Sequence, residues 1–140
     1  MVTVENPECW IYHRLDEVGE IISGGTPDSS NTEYWNGEIL WAVPTDITKL
    51  KTNYITDTER KITKTGLEKS SAHILPSGTI LITSRATIGE CAITTKPIST
   101  NQGFQNLKCN TKYDNHFVFY SIKHNKNKLV QLASGSTFQE

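Results

Sequence analysis

Residues 75 to 95, LPSGTILITSRATIGECAITT, narrow the folds open to this chain more than any other stretch. A Pro-Ser-Gly turn feeds a buried strand, Thr79 to Thr83, and IGECAITT supplies another strand across a turn at Arg85 to Thr87. Two shorter runs precede them. Glu20 to Ser23 reads as a strand before a Gly24-Gly25 turn, and EILWAV, residues 38 to 43, is a β-forming run that ends at Pro44 and should bury Trp41. Eighteen threonines in the chain lean the same way. Before these strands, residues 10 to 18 form an entry segment in which Leu15 and Val18 are spaced for one turn of helix.

Residues 45 to 71, TDITKLKTNYITDTERKITKTGLEKSS, have no helical periodicity and read as long loops around short strands. The C-terminal part differs. From Asp114, a plausible N-cap, Val118, Ile122, Leu129 and Ala133 fall on one helical face, Asn125 and Asn127 split the stretch into two short helices, and Gly135 is a stop. The expected fold is α+β: an irregular, largely antiparallel β-sheet with short C-terminal helices, in a single domain over residues 1 to 140.

The glycine pair invites a nucleotide-loop reading and does not support it. A Walker loop needs a lysine and a hydroxyl after its last glycine, and a dinucleotide fingerprint needs a third glycine opening a helix. SGGTPDSS has neither the lysine nor the third glycine, and Asp28 would set a negative charge where a phosphate must sit. The structural reading is that Gly24 or Gly25 supplies a positive φ, Pro27 fixes the exit, and Tyr34 and Trp35 anchor the far end in the core.

Catalytic chemistry finds no foothold. His13, His73, His116 and His124 are scattered, and Ser70 and Ser71 lie outside any nucleophile elbow. Cys9, Cys91 and Cys109 are widely spaced, and Cys9 with His13 is an isolated ligand pair, so no metal is expected. Asp46, Asp57 and Glu59 could group around a cation, yet they lie among threonines and lysines where solvated charge is the ordinary role. No cofactor is expected. The N-terminus lacks the features of a signal peptide and no apolar run reaches membrane-spanning length, which points to the cytoplasm.

Charge is uneven. Residues 1 to 46 carry nine acids against Arg14, a balance of −8, while residues 47 to 140 carry thirteen bases against six acids, a balance of +7. Such asymmetry hints at nucleic-acid contact, although the net −1 argues against indiscriminate coating.

Four signatures sharpen the hint. They are SGGTP with YWNGEILW, SSAHILPSGTILITSRATIGECAI, TNQGFQNL and LASGSTFQE. In order and spacing they resemble the target recognition domain of the DNA specificity subunit of type I restriction-modification systems, over nearly the whole chain. The resemblance implies a noncatalytic component that reads one half of a split double-stranded DNA site. In that family the methyltransferase subunits bring S-adenosylmethionine and the restriction subunits bring ATP-driven translocation. It also implies a partner second half, or second copy, of the specificity subunit, because the sequence stops at Glu140 where the family continues into a long spacer helix and usually a second domain.

Within that frame, Lys49, Lys51, Asn53, Arg60, Lys61, Lys64 and Lys69 in the 45-to-71 stretch are the candidate DNA contacts, with Arg60 the candidate for guanine and the lysines for phosphates. Arg85, Asn101 and Gln102 belong to segments the family shares across different targets. They are expected to hold loops together or to touch phosphates. The rival reading, from another class, is an interaction fragment that pairs with restriction-modification subunits without binding DNA. A small hydrolase is disfavoured, since no nucleophile, base and orienting group can be named.

Overall fold

The computed structural model describes residues 3–6, 11–84 and 89–124. β1 (Thr3–Asn6) and β2 (Ile11–Arg14) pair antiparallel. A single turn, α1 (Leu15–Val18), leads into β3 (Gly19–Ser23). After a 3-10 turn at Thr32–Tyr34 come β4 (Trp35–Ala42), α2 (Pro44–Thr48), β5 (Tyr54–Ile55), β6 (Arg60–Ile62) and α3 (Lys64–Glu68). The chain continues through β7 (Ile80–Ile82), β8 (Cys91–Thr94), β9 (Ser99–Thr100), β10 (Gln105–Cys109) and α4 (Asn115–His124).

Two sheets carry the fold. The larger has the order β3-β10-β7-β8-β5 and is antiparallel except where β5 runs parallel to β8. The smaller, β6-β4-β9, pairs β4 antiparallel with β6 and parallel with β9. The architecture is therefore mixed, mainly antiparallel, with a helix after the last strand.

β7 shows how the larger sheet is held. Its side chains alternate between faces, and all three are buried: Ile80 and Ile82 join Val18, Ile93, Leu107, Val118, Phe119 and Ile122, while Leu81 joins Ala42, Ile47, Ile55, Leu75, Ala92, Ile98 and Phe104. Both faces of the sheet are thus covered, one by α4. That accounts for the near-continuous apolar run in the sequence. Gly78, in the turn before β7, has φ 89°, a conformation that favours glycine. Asp114 caps α4 by accepting a hydrogen bond from the His116 N–H at 2.9 Å. The expected split at Asn125 and Asn127, the residues Leu129 and Ala133, and the stop at Gly135 lie outside the described residues, as does the turn holding Arg85.

Residues 45 to 71 contain the expected short strands, β5 and β6, but correct the expectation that loops alone surround them, for they also hold most of α2 and all of α3. Each helix has five residues, too few to show a period, and each is set by its ends. Pro44 opens α2, where a fixed φ helps and a missing N–H costs nothing. Thr63 caps α3 by accepting from the Gly66 N–H at 3.0 Å.

Candidate nucleic-acid interface

The face around the smaller sheet is organised by polar contacts rather than by an apolar core. Its centre is Trp41, 2% exposed, whose ring N–H donates to the Gly25 carbonyl at 3.0 Å. Trp35, half-buried, donates its ring N–H to the Asp28 carbonyl at 3.0 Å. The loop between Gly24 and Tyr34 therefore ties down both indoles. Asp28 in turn accepts from the Ser30 N–H at 2.9 Å and from its hydroxyl at 2.7 Å, which hold the carboxyl below its ordinary range.

The glycine pair does this work by close approach, correcting the expected positive φ: among the described residues that conformation belongs to Gly78, Gly89 and Asn36. A Cβ on Gly24 would overlap the Thr100 and Asn101 carbonyls, and one on Gly25 would overlap Ser71 and the Ala72 nitrogen. The loop is pressed against its neighbours too tightly for any larger residue. Tyr34 and Trp35 are half-buried rather than core, so they anchor the far end at the surface.

The two indoles are six residues apart in β4, which in a regular strand would separate them by roughly 20 Å. Their ring centroids are 4.9 Å apart, with planes at 82°. A bulge explains the difference, because Trp35 and Ile39 both stand opposite Ile62, so the residues between them are looped out. Asn36, at φ 62°, makes the bend in a conformation asparagine tolerates, and Gly37 lies against Ile62 and Thr63 backbone where a Cβ would not fit.

Arg60 stands directly opposite Trp41 across the sheet. Its guanidinium carbon lies 4.0 Å from the Trp35 ring centroid and 5.1 Å from that of Trp41. Behind it, Asp46 is 3% exposed and accepts from the Val43 N–H at 2.9 Å and the Glu59 N–H at 3.2 Å, joining the end of β4 to the approach of β6. Asp46 is thus a structural carboxylate. Among the described residues no cluster of three or more ligating side chains could hold a metal ion.

The other candidates divide. Lys49 pairs with Asp46 at 3.7 Å and Glu59 at 3.6 Å, and Lys61 with Asp57 at 3.1 Å, so two of the lysines face carboxylates. Lys51, Lys64 and Lys69 are exposed with no ion pair among the described residues. Asn53 faces α4, donating to the Tyr120 hydroxyl at 3.2 Å and accepting from the Lys123 ammonium at 3.1 Å. Asn101 accepts from the Gly103 N–H at 2.8 Å, and Gln102 accepts from the Thr26 hydroxyl, which links the 101-to-103 turn to the glycine loop. Arg85 lies outside the described residues. The structure thus brings Arg60 to Trp35 and Trp41, a grouping that sequence spacing gave no reason to expect.

Comparison with known proteins adds the lineage. Residues 7–140 match the family described as the Type I restriction modification DNA specificity domain. The chain is 38% identical over 136 residues to the type I restriction enzyme MjaIX specificity subunit of Methanocaldococcus jannaschii, covering 96% of this chain and 32% of that protein. It is 29% identical over 133 residues to the HindI specificity subunit of Haemophilus influenzae, covering 94% of this chain and 28% of that protein. It therefore spans about a third of the length of these relatives. A crystal structure of the HsdS subunit from Thermoanaerobacter tengcongensis shares the fold at a TM-score of 0.62 and 21% identity, over 91% of this chain and 30% of that one.

Proposed function

Because this chain belongs to the family of type I restriction modification DNA specificity domains, we propose that it is a noncatalytic reader of double-stranded DNA that directs methyltransferase and restriction subunits to one half of a bipartite site. The observation that carries this reading is Arg60, an exposed guanidinium stacked on a braced indole pair. Arginine forks onto guanine O6 and N7 in the major groove, a contact worth about 1–3 kcal/mol of discrimination.

In this reading Lys51, Lys64 and Lys69 supply phosphate contacts, as would Arg85. Lys49 and Lys61 contribute less, since each must first leave a carboxylate. Asn101 and Gln102 brace the loops. Asn53, turned toward α4, reads DNA only by giving up Tyr120 and Lys123. Specificity then lies in Arg60 and its neighbours on β6, while the lysines set affinity for all sequences alike.

A second reading has its own observation. Tyr54, Phe117 and Tyr120 are exposed on β5 and α4, with Tyr54 bonded to His116 at 2.8 Å. Aromatic rings at a surface suit a protein interface, as an interaction fragment would need.

Fluorescence anisotropy with labelled duplexes at several salt concentrations separates the two. Binding by the 140-residue chain should be on the order of micromolar or weaker at physiological salt and should fall as salt rises, because few phosphates are neutralised. A cooperatively folded chain with no salt-dependent binding to any duplex would leave the interaction reading standing alone.

A further inference from the structure

The indole pair and Arg60 are arranged more exactingly than a solvated surface requires. Each ring N–H is fixed on a carbonyl of one loop, Trp35 on Asp28 and Trp41 on Gly25, both at 3.0 Å. The rings meet edge to face, so each limits the other's rotation. The Arg60 guanidinium carbon then sits over the Trp35 ring, 4.0 Å from its centroid. Among the described residues no carboxylate or carbonyl accepts a hydrogen bond from that head.

A stacked guanidinium spends its face on the ring and keeps its N–H donors in the plane, directed outward. The stack therefore removes the freedom that a long side chain would lose on binding, while leaving the fork for a bidentate acceptor. A lysine at this place would offer a point charge and no fork.

Resting on the reading that this chain binds DNA, we infer that Trp35 is a positioning residue for specificity: by holding the Arg60 head over its ring it fixes which base pair the guanidinium meets, without touching the DNA itself. Trp41 is the buried member of the pair and supports the same arrangement from the core side. The bulge at Asn36 is what carries Trp35 to its place. The consequence is local: loss of the ring should blur one position of the recognised sequence and leave the others sharp.

Selection of duplexes from a randomised pool by the 140-residue chain, followed by sequencing, tests this with Trp35→Ala, Trp35→Phe and Arg60→Lys. The unaltered chain should enrich sequences with a G·C pair at one fixed position. Arg60→Lys should lose preference at that position by roughly tenfold or more, the scale of a bidentate contact. Trp35→Ala should lose it at the same position, with the remaining positions and the salt dependence unchanged. Trp35→Phe, which keeps an aromatic face, should restore part of it. If the unaltered chain enriches a sequence and both Trp35 variants enrich it with the same stringency, the positioning role is overturned and the DNA reading survives. Loss spread evenly over all positions in Trp35→Phe also overturns it, since that is the mark of a merely loosened fold. If the unaltered chain enriches nothing, the DNA reading itself fails and the inference falls with it.

Discussion

The central strand of the larger sheet and the surroundings of Trp41 in the smaller one are held by different physics. In the larger one, β7 is apolar on both faces and buries Ile80, Leu81 and Ile82 without a side-chain hydrogen bond between them. In and beside the smaller one, Trp41 and Ser99 on its strands and Asp46 and Thr58 next to them are buried while making side-chain hydrogen bonds to backbone, including the Trp41 N–H to the Thr58 hydroxyl at 3.2 Å and the Ser99 hydroxyl to the Leu40 carbonyl at 2.7 Å. Burial is non-directional and tolerates exchange of one apolar residue for another of similar size. Hydrogen bonding is directional and demands one residue type at each place. A rigid, interchangeable support therefore carries a face whose groups are individually placed, which suits a surface meant to meet a specific partner.

The largest effect should come from the support. Leu81→Ala removes a fully buried side chain from the middle of β7 and should cost about 2–5 kcal/mol, read as a lower midpoint in chemical denaturation. A value near zero would mean that the two sheets do not differ as described. An intermediate effect is expected on the other side. Asp46→Ala strands the Val43 and Glu59 N–H groups and should cost about 1–3 kcal/mol, with faster amide exchange at Glu59 than at β7. Equal acceleration at both places would erase the contrast.

The smallest effect is a pH dependence confined to the exposed loop. The Ser30 hydroxyl and N–H hold the Asp28 carboxyl below its ordinary range. A depressed folded-state value means that the loop gains order from this group above the ordinary carboxylate range and loses it as pH falls through the lowered value. The Ser30 amide resonance should therefore shift with a midpoint below the ordinary aspartate value, and Asp28→Asn should abolish that shift. A titration centred at the ordinary aspartate value would show that the turn is not closed in solution.

Legibility depended on whether a strand was apolar, not on which sheet it joined. The strands at Gly19–Ser23, Ile80–Ile82 and Cys91–Thr94 and the later part of β4, from residue 38 on, were readable from short apolar, β-forming runs, and the buried Trp41 with them, because burial leaves a compositional trace; the start of β4 at Trp35 was not. β10 was not, since QNLKC carries a fully buried Asn106 whose amide donates to the Thr100 hydroxyl at 3.0 Å, and a polar core residue breaks the pattern. α2 and α3 escaped because a five-residue helix is specified by its caps. The glycine pair was recognised as structural, but close packing against Thr100 and Ser71 cannot be told from a positive φ in sequence alone. The stack of Arg60 on Trp35 was beyond reach for a geometric reason: the bulge makes distance along the chain a false guide to distance in space.

The meeting of Trp35 and Trp41 has an optical side. Two identical chromophores, 4.9 Å apart and neither parallel nor free to turn, share their excited states. Their coupled transitions should split into a signed pair of bands in circular dichroism, a signature that a lone indole does not give. The chain thus contains its own spectroscopic gauge. The amplitude of that couplet reports whether the bulge is formed, before any nucleic acid is added and without a label.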